Sequence, residues 1–165
     1  MRINRKMIEL LTEYPIDDLT EADIPPMFLE VVREGWSYTP NGARVLRGLL
    51  PISTASYGDL LQEETSINGR GMVDYDLPRN PAERNNILLR RCFAYAFSCL
   101  DRASEEFNDK DVRGYVSLSM SGVHDDVMTA NVTFCTPNPN SPPYISNLES
   151  VSNEAIAELS VDDRP

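Results

Sequence analysis

Residues 80–107 read NPAERNNILLRRCFAYAFSCLDRASEEF, and they predict the one long helix of this chain. Asn80 is a typical N-cap, and Pro81 suits the first helical position, where its missing N–H costs nothing. Apolar residues then recur at helical spacing along two neighbouring stripes, and the segment between Cys92 and Leu100 is apolar nearly all round. Such a helix must be covered on more than one side. We therefore place it in the middle of the domain.

A hairpin is predicted after the long helix. Val116, Leu118 and Met120 alternate with serines, and the apolar residues of 128–134 alternate with polar ones. A period of two predicts two antiparallel strands joined through residues 121–127. One face should pack on the long helix, and the other, rich in hydroxyls, should face water. The fold class that follows is α+β, with several short helices and one long central helix packed on a small antiparallel sheet or hairpin.

The segments before the long helix are short. Apolar spacing predicts helices over residues 7–14, 26–34 and 43–50, and Gly35 is placed as the stop of the second. An edge strand is the alternative for the first. A further helix is expected at Leu60, after Ser56 and Asp59, which resemble a capping box. Asn68-Gly69 is typical of a hairpin turn and predicts a strand over residues 72–77.

The length of 165 residues favours one globular domain, which we expect to span residues 1–136. From there the composition changes, with four prolines at positions 137, 139, 142 and 143 among Asn and Ser. This pattern indicates an extended segment over residues 137–165, with a weak helix around Ile156 and Leu159 and an acidic tail at Asp162 and Asp163. Removing everything after Thr136 should leave a folded domain that assembles poorly.

Composition limits the classes of function. The net charge of −11 and the pI near 4.5 oppose binding to a phosphate backbone, so we expect no direct nucleic-acid binding and instead attraction to basic proteins. The three cysteines contain no Cys-x-x-Cys pair and are interpreted as buried thiols, which fits a reducing compartment. No membrane span or signal peptide is evident, and an intracellular, non-secreted protein is expected.

The familiar catalytic motifs are absent from this sequence. The sequence has no Gly-rich phosphate loop, no Gly-x-Ser-x-Gly elbow and no His-Glu-x-x-His helix. His124 beside Asp125 could serve as an acid–base pair or as two metal ligands, but a polar pair in a hairpin connection is more typical of a solvated turn. We therefore predict a protein that is not an enzyme and needs no cofactor or metal.

The densest cationic cluster lies on the long helix. Arg84 and Arg91 are two turns apart and share a face, with Arg90 and Arg79 nearby. They are candidates for binding an acidic patch on another copy of the chain. The alternative is pairing with carboxylates of the same chain, because such surface ion pairs are common.

Several segments resemble the matrix proteins of rhabdoviruses. The stretch from Val31 to Leu50 carries Trp36, Tyr38, Gly42 and Arg44 in a similar order, and Gly69-Arg70, the hairpin segment 114–120 and Asp125-Asp126 follow in sequence. The resemblance covers about the middle two-thirds of the chain. It implies a mixed α/β domain that polymerises between a nucleocapsid and a membrane, in the host cytoplasm and the virion.

Two classes of function remain open. The first is a structural protein that self-assembles, such as a viral matrix or coat subunit, in which Pro142, Pro143 and Tyr144 of the proline-rich segment lie along a neighbouring copy. The second is an acidic inhibitor, such as an immunity protein or antitoxin, that covers the active site of a basic toxin or nuclease. Its binding residues would come from the acidic stretch 13–34, which includes Asp17, Asp18 and Asp23; that stretch could equally be a solubilising face.

Overall fold

A computed structural model describes residues 1–51, 56–120 and 128–164. Its helices and strands confirm the α+β fold with one long helix. In chain order they are β1 (Arg2–Ile3), α1 (Arg5–Glu13), α2 (Pro26–Glu34), β2 (Trp36–Tyr38), β3 (Arg44–Leu46), α3 (Leu60–Asn68), β4 (Arg70–Gly71), α4 (Pro81–Phe107), β5 (Arg113–Met120), β6 (Met128–Cys135) and β7 (Glu154–Leu159).

Helix α4 begins and ends as the sequence predicts. The Asn80 side chain accepts the N–H of Glu83 at 3.0 Å, and Asn108 ends the helix in the left-handed conformation. Residues from Leu88 to Leu100 are buried on almost every side. The Trp36 indole donates to the backbone oxygen of Cys99 at 2.9 Å, so the single tryptophan is fixed in the core against α4.

The main sheet has five strands in the order β1-β7-β5-β6-β4, and each neighbouring pair is antiparallel. The predicted hairpin of β5 and β6 is confirmed. Val116, Val132 and Phe134 are buried on the inner face, where α4 packs. Helix α1 covers β7 on the same side. Its residue Leu10 lines a cavity there together with Leu118 and Ala155 of the inner face. The opposite, outer face carries the serines and threonines of the hairpin.

Strand β7 corrects two predictions. The segment around Ile156 and Leu159 is a strand rather than a helix, and it pairs with both β1 and β5 inside the sheet. The globular part therefore does not end at residue 136. This strand lacks a clear alternation of apolar and polar residues because it is covered on both faces. Ala155 and Ala157 are buried toward the helices, and Ile156 is buried on the outer face.

The proline-rich segment is an internal connection rather than a free extension. It joins β6 to β7, and β5 lies between these two strands. The chain must therefore cross over β5, and it does so on the outer face, where Tyr144 packs against Tyr115 of β5. We call residues 136–147 the crossover. The segment therefore packs on its own chain, and its contact with a neighbouring copy stays a prediction.

Among the short N-terminal elements, α1 and α2 are confirmed. Asn4 caps α1 by accepting the N–H of Met7 at 3.0 Å, and Gly35 ends α2 with a φ of 71°. The predicted helix over residues 43–50 is wrong, because Arg44–Leu46 forms β3 against β2. Val45 and Leu46 are both fully buried, so an enclosed strand produced a run of apolar residues that resembles helical spacing.

The turn predicted at Asn68-Gly69 is also wrong. Asn68 is the last residue of α3, and Gly69 caps that helix. The strand that follows is β4, which covers Arg70–Gly71 and not the predicted residues 72–77. The helix predicted at Leu60 is confirmed, with Asp59 as its N-cap. The hairpin connection, including His124, Asp125 and Asp126, lies outside the described residues.

The three cysteines are buried free thiols, as the sequence predicts. Burial raises the pKa of Cys92 and Cys99, and it raises that of Cys135 to about 12. Among the described residues, no helix combines the length and the apolar composition needed to cross a bilayer.

Candidate functional site

A groove of about 460 Å³ lies where the crossover, α3 and the two-stranded sheet meet. Its floor is formed by Tyr115 and Cys135 of the main sheet, and the crossover forms one wall. The opposite wall is the start of α3, and Gly42 and Arg44 close one end. We call it the Tyr144 groove; its lining residues are Gly42, Arg44, Asp59, Leu60, Leu61, Glu64, Tyr115, Cys135, Thr136–Pro139 and Ser141–Tyr144.

The wall formed by the crossover is stiffened by its composition. Four prolines fix φ and remove backbone donors, so this stretch cannot join the sheet as a strand or coil into a helix. The Tyr144 ring meets the Tyr115 ring edge-on, with 4.9 Å between ring centroids. Tyr115 is buried while 42% of Tyr144 is exposed, which leaves one aromatic face available at the rim of the groove.

A buried carboxylate supports the groove from beneath. Glu64 is 3% exposed, and its side chain accepts the backbone N–H of Arg44 at 2.8 Å and that of Thr136 at 2.5 Å. Burial raises the pKa of Glu64, and these hydrogen bonds offset part of the rise because they favour the charged form. One side chain thus connects α3, β3 and the first residue of the crossover.

Arg44 does not bring free positive charge to the groove. Its guanidinium donates two hydrogen bonds to Asp109, at 2.7 and 2.9 Å, and lies 4.6 Å from the ring centroid of Phe107. Burial lowers the pKa of Arg44, but the hydrogen bonds and charge of Asp109 raise it overall. Since Arg44 is neutralised, Asp59 and Glu64 give the groove an acidic character.

Three residues singled out from the sequence lie together in this groove. Pro142, Pro143 and Tyr144 are exposed residues of its crossover wall. They pack on their own chain, and their selection as partner-binding residues stays a prediction.

Arg84 and Arg91 are held within the chain, which corrects the hypothesis that they bind another copy. Arg84 donates to the Asp74 carboxylate at 2.7 Å. Arg91 donates two hydrogen bonds of 2.7 Å to Asp76. Those bonds raise the pKa of Arg91 and lower that of Asp76. Internal pairing, the alternative from the sequence, is what the structure shows.

The acidic residues of the stretch 13–34 lie elsewhere. Asp23 pairs with Arg90, with N–O distances of 2.8 and 3.1 Å. Burial raises the pKa of Asp23, but the hydrogen bonds from Arg90 and Thr20 lower it overall. Asp17 and Asp18 accept from Arg90 through their backbone oxygens, which leaves their side chains exposed. None of the three lines the Tyr144 groove.

Sequence reasoning missed Tyr115, Glu64 and Leu60. One signal was present: Tyr115 precedes Ser117 and Ser119 on the predicted water-facing side of β5, and a large aromatic ring there indicates that something covers it. Glu64 gave no comparable signal, because its partners are backbone groups that lie 20 and 72 residues away along the chain.

Comparisons with models of known protein families, with curated proteins and with solved structures found no match to this chain. Within residues 1–51, 56–120 and 128–164, no group of three or more His, Cys, Asp or Glu side chains is arranged to hold a metal ion.

Proposed function

We propose that this chain is a non-enzymatic structural protein that self-assembles, in the manner of a viral matrix or coat subunit. The observation that carries the proposal is the Tyr144 groove, in which an exposed tyrosine, exposed prolines and Leu60 surround an apolar concavity. Aromatic residues are enriched where proteins bind one another, and a concavity of this size accommodates a cluster of partner side chains.

The resemblance of residues 31–50 and of the later segments to rhabdovirus matrix proteins supports the type of assembly. The first partner is another copy of the chain. A nucleocapsid protein or a membrane surface is the further partner that the resemblance implies. With a net charge of −11, contact with an anionic membrane would need a local basic patch or exposed apolar side chains.

The second candidate function, an acidic inhibitor of a basic toxin, is favoured by the distribution of charge. Within the described part of the chain, 11 of the 15 Lys and Arg side chains form an ion pair with a carboxylate, and Lys6, Arg70, Arg79 and Arg113 form none. Asp17 and Asp18 stay exposed, and they could meet a cationic surface.

Molar mass distinguishes the two candidates. Light scattering behind a sizing column, at rising protein concentration and at low and high salt, should show growth beyond a dimer if the protein self-assembles. A monomer at every concentration and salt would contradict self-assembly, and an immobilised form of the protein would then be used to capture basic partners.

A further inference from the structure

A second surface, at the other end of the main sheet, has the properties of a binding segment. Residues 74–80, which we call the Tyr75 loop, form the later part of the connection between β4 and α4. Tyr75 is 86% exposed, the highest value of any large apolar side chain among the described residues. A fully solvated aromatic ring has no role in the core of its own chain, whereas tyrosine is a frequent anchor in protein interfaces.

The Tyr75 loop is held in one conformation by the long helix. Asp74 on one side of Tyr75 binds Arg84, and Asp76 on the other side binds Arg91 through two hydrogen bonds of 2.7 Å. The Leu77 N–H also donates to the backbone oxygen of Asp74 at 3.2 Å, closing a turn around Tyr75. An anchor that is already ordered loses less conformational entropy on binding.

The same loop carries an available positive charge. Arg79 is exposed and forms no ion pair or hydrogen bond with any of the described residues, in a chain where most cations are paired. Pro78 and Pro81 lie on either side of it and restrict the backbone. The loop therefore presents a tyrosine and an unpaired arginine on a stiff support.

The Tyr144 groove is complementary to these two side chains. Its aromatic and proline walls suit a tyrosine ring. Asp59 and Glu64 give it negative charge, while its own arginine is neutralised by Asp109. The groove thus lacks the cation that Arg79 would supply.

The two surfaces are too far apart to meet within one chain. The Met72 N–H donates to Ala130 of β6 just before the loop begins, whereas the groove begins at Cys135 and Thr136 at the end of the same strand. A separation of six residues along a strand corresponds to about 20 Å. A contact between loop and groove therefore joins different copies.

We propose that the Tyr75 loop of one copy binds in the Tyr144 groove of the next copy. The inference rests on the proposed self-assembly and names the surfaces that carry it. Two different surfaces meet in this contact. Copies that associate head to tail through it leave one loop and one groove free and build rings or open chains, whereas two copies that exchange their loops reciprocally close a dimer. The self-assembly proposed above corresponds to the head-to-tail arrangement.

The test uses the full chain in two variants that each remove one surface. The loop variant combines Tyr75→Ala with Arg79→Ala, and the groove variant is Leu60→Arg, which fills the groove and repels Arg79. Leu60 is 44% exposed at the first position of α3. Met27→Arg, at a 56% exposed position near the start of α2, is the matched control. Circular dichroism verifies that all variants are folded.

Each variant alone should remain monomeric at concentrations where wild type and Met27→Arg form species larger than a dimer. A mixture of the two should form a one-to-one dimer and stop there, because the groove of the loop variant and the loop of the groove variant remain intact. Sedimentation velocity measures the species. Growth of either variant to the size of wild type, or a mixture that stays monomeric, overturns the inference while self-assembly stands. A monomeric wild type removes both proposals.

Discussion

The Glu64 carboxylate accepts the backbone N–H of Thr136 at 2.5 Å, at the residue where the chain leaves β6 for the crossover. The same carboxylate accepts the N–H of Arg44 at 2.8 Å. The position of the crossover, and with it one wall of the Tyr144 groove, therefore depends on one buried acid of α3.

Replacing Glu64 by Gln should destabilise the protein by about 1–3 kcal/mol, because the amide NH2 would face a backbone donor and leave it unpaired. Glu63→Gln is the control. Glu63 is also buried, but its partner is the side chain of Asn41 at 3.1 Å, which can turn its own amide to suit a glutamine. Urea unfolding of both variants measures the difference, and equal losses would contradict the role given to Glu64.

The stability contributed by Glu64 should depend on pH. Burial raises its pKa above the value of about 4.3 in an unfolded chain, so the folded protein binds the proton more readily. As the pH falls through the raised pKa, the free energy of unfolding of wild type should rise relative to Glu64→Gln, and the gain should be complete below the unfolded pKa. Urea titrations from pH 8 to pH 4 measure this difference. A constant difference would show that Glu64 has an ordinary pKa.

Gly35 should tolerate no side chain. Its φ is 71°, and an added Cβ would collide with the Glu106 carboxylate, which accepts from the Trp36 N–H and from Arg47. We expect Gly35→Ala to cost roughly 2–4 kcal/mol from backbone strain and disturbed hydrogen bonds.

Gly42 provides the matched comparison for Gly35. Its φ is also positive, at 92°, but no heavy atom lies within 4 Å of an added Cβ. Gly42→Ala should therefore show the backbone strain alone, about 1–2 kcal/mol. Thermal unfolding of both variants separates the two contributions, and an equal shift for both would exclude a role for Glu106.

The side chain of Asn68 joins the two sheets. Its amide accepts the Leu46 N–H at 2.9 Å and donates to the backbone oxygens of Arg44 and Phe134 at 3.0 and 3.2 Å. Asn68→Ala would remove a partner from three backbone groups, two of them in buried hydrogen bonds, and should cost about 3 kcal/mol. Asn86→Ala, at an exposed position of α4, should cost nothing, and urea unfolding compares them. A small loss for Asn68→Ala would mean that water replaces the amide.

A chain that ends at Thr136 should not fold, contrary to the expectation from the sequence. It lacks β7, and with it the pairing partner of both β1 and β5. A chain that ends at Leu159 keeps β7 and should fold. Far-UV circular dichroism and the cooperativity of urea unfolding compare the two. Cooperative unfolding of the shorter chain would contradict the place of β7 in the sheet.

Elements with a clear hydrophobic period could be predicted, whereas the short strands that are enclosed by the rest of the fold could not. Helix α4 combines an N-cap with 27 residues of helical spacing, and the β5–β6 hairpin alternates over eight residues in each strand. Strand β3 is apolar on both sides, and β7 is covered on both faces, so neither shows the alternation of a half-buried strand.

The candidate site was predictable in part. Pro142, Pro143 and Tyr144 could be selected because prolines and an aromatic residue stand out in a polar segment. Their location depends on β7, whose pairing brings the chain back over β5. The opposite wall comes from α3, through the contact of Glu64 with Thr136 across 72 residues. Long-range backbone hydrogen bonds of this kind leave no local pattern in a sequence.

We propose the Tyr144 groove as the assembly surface of this chain. The most direct measurement is the molar mass of wild type, Leu60→Arg and Met27→Arg by light scattering over a shared range of concentrations. The proposed function predicts that wild type and Met27→Arg grow beyond a dimer as concentration rises, and that Leu60→Arg remains a monomer. Equal growth of Leu60→Arg and wild type would contradict the groove as the assembly surface, whereas a wild type that stays monomeric throughout would contradict self-assembly itself.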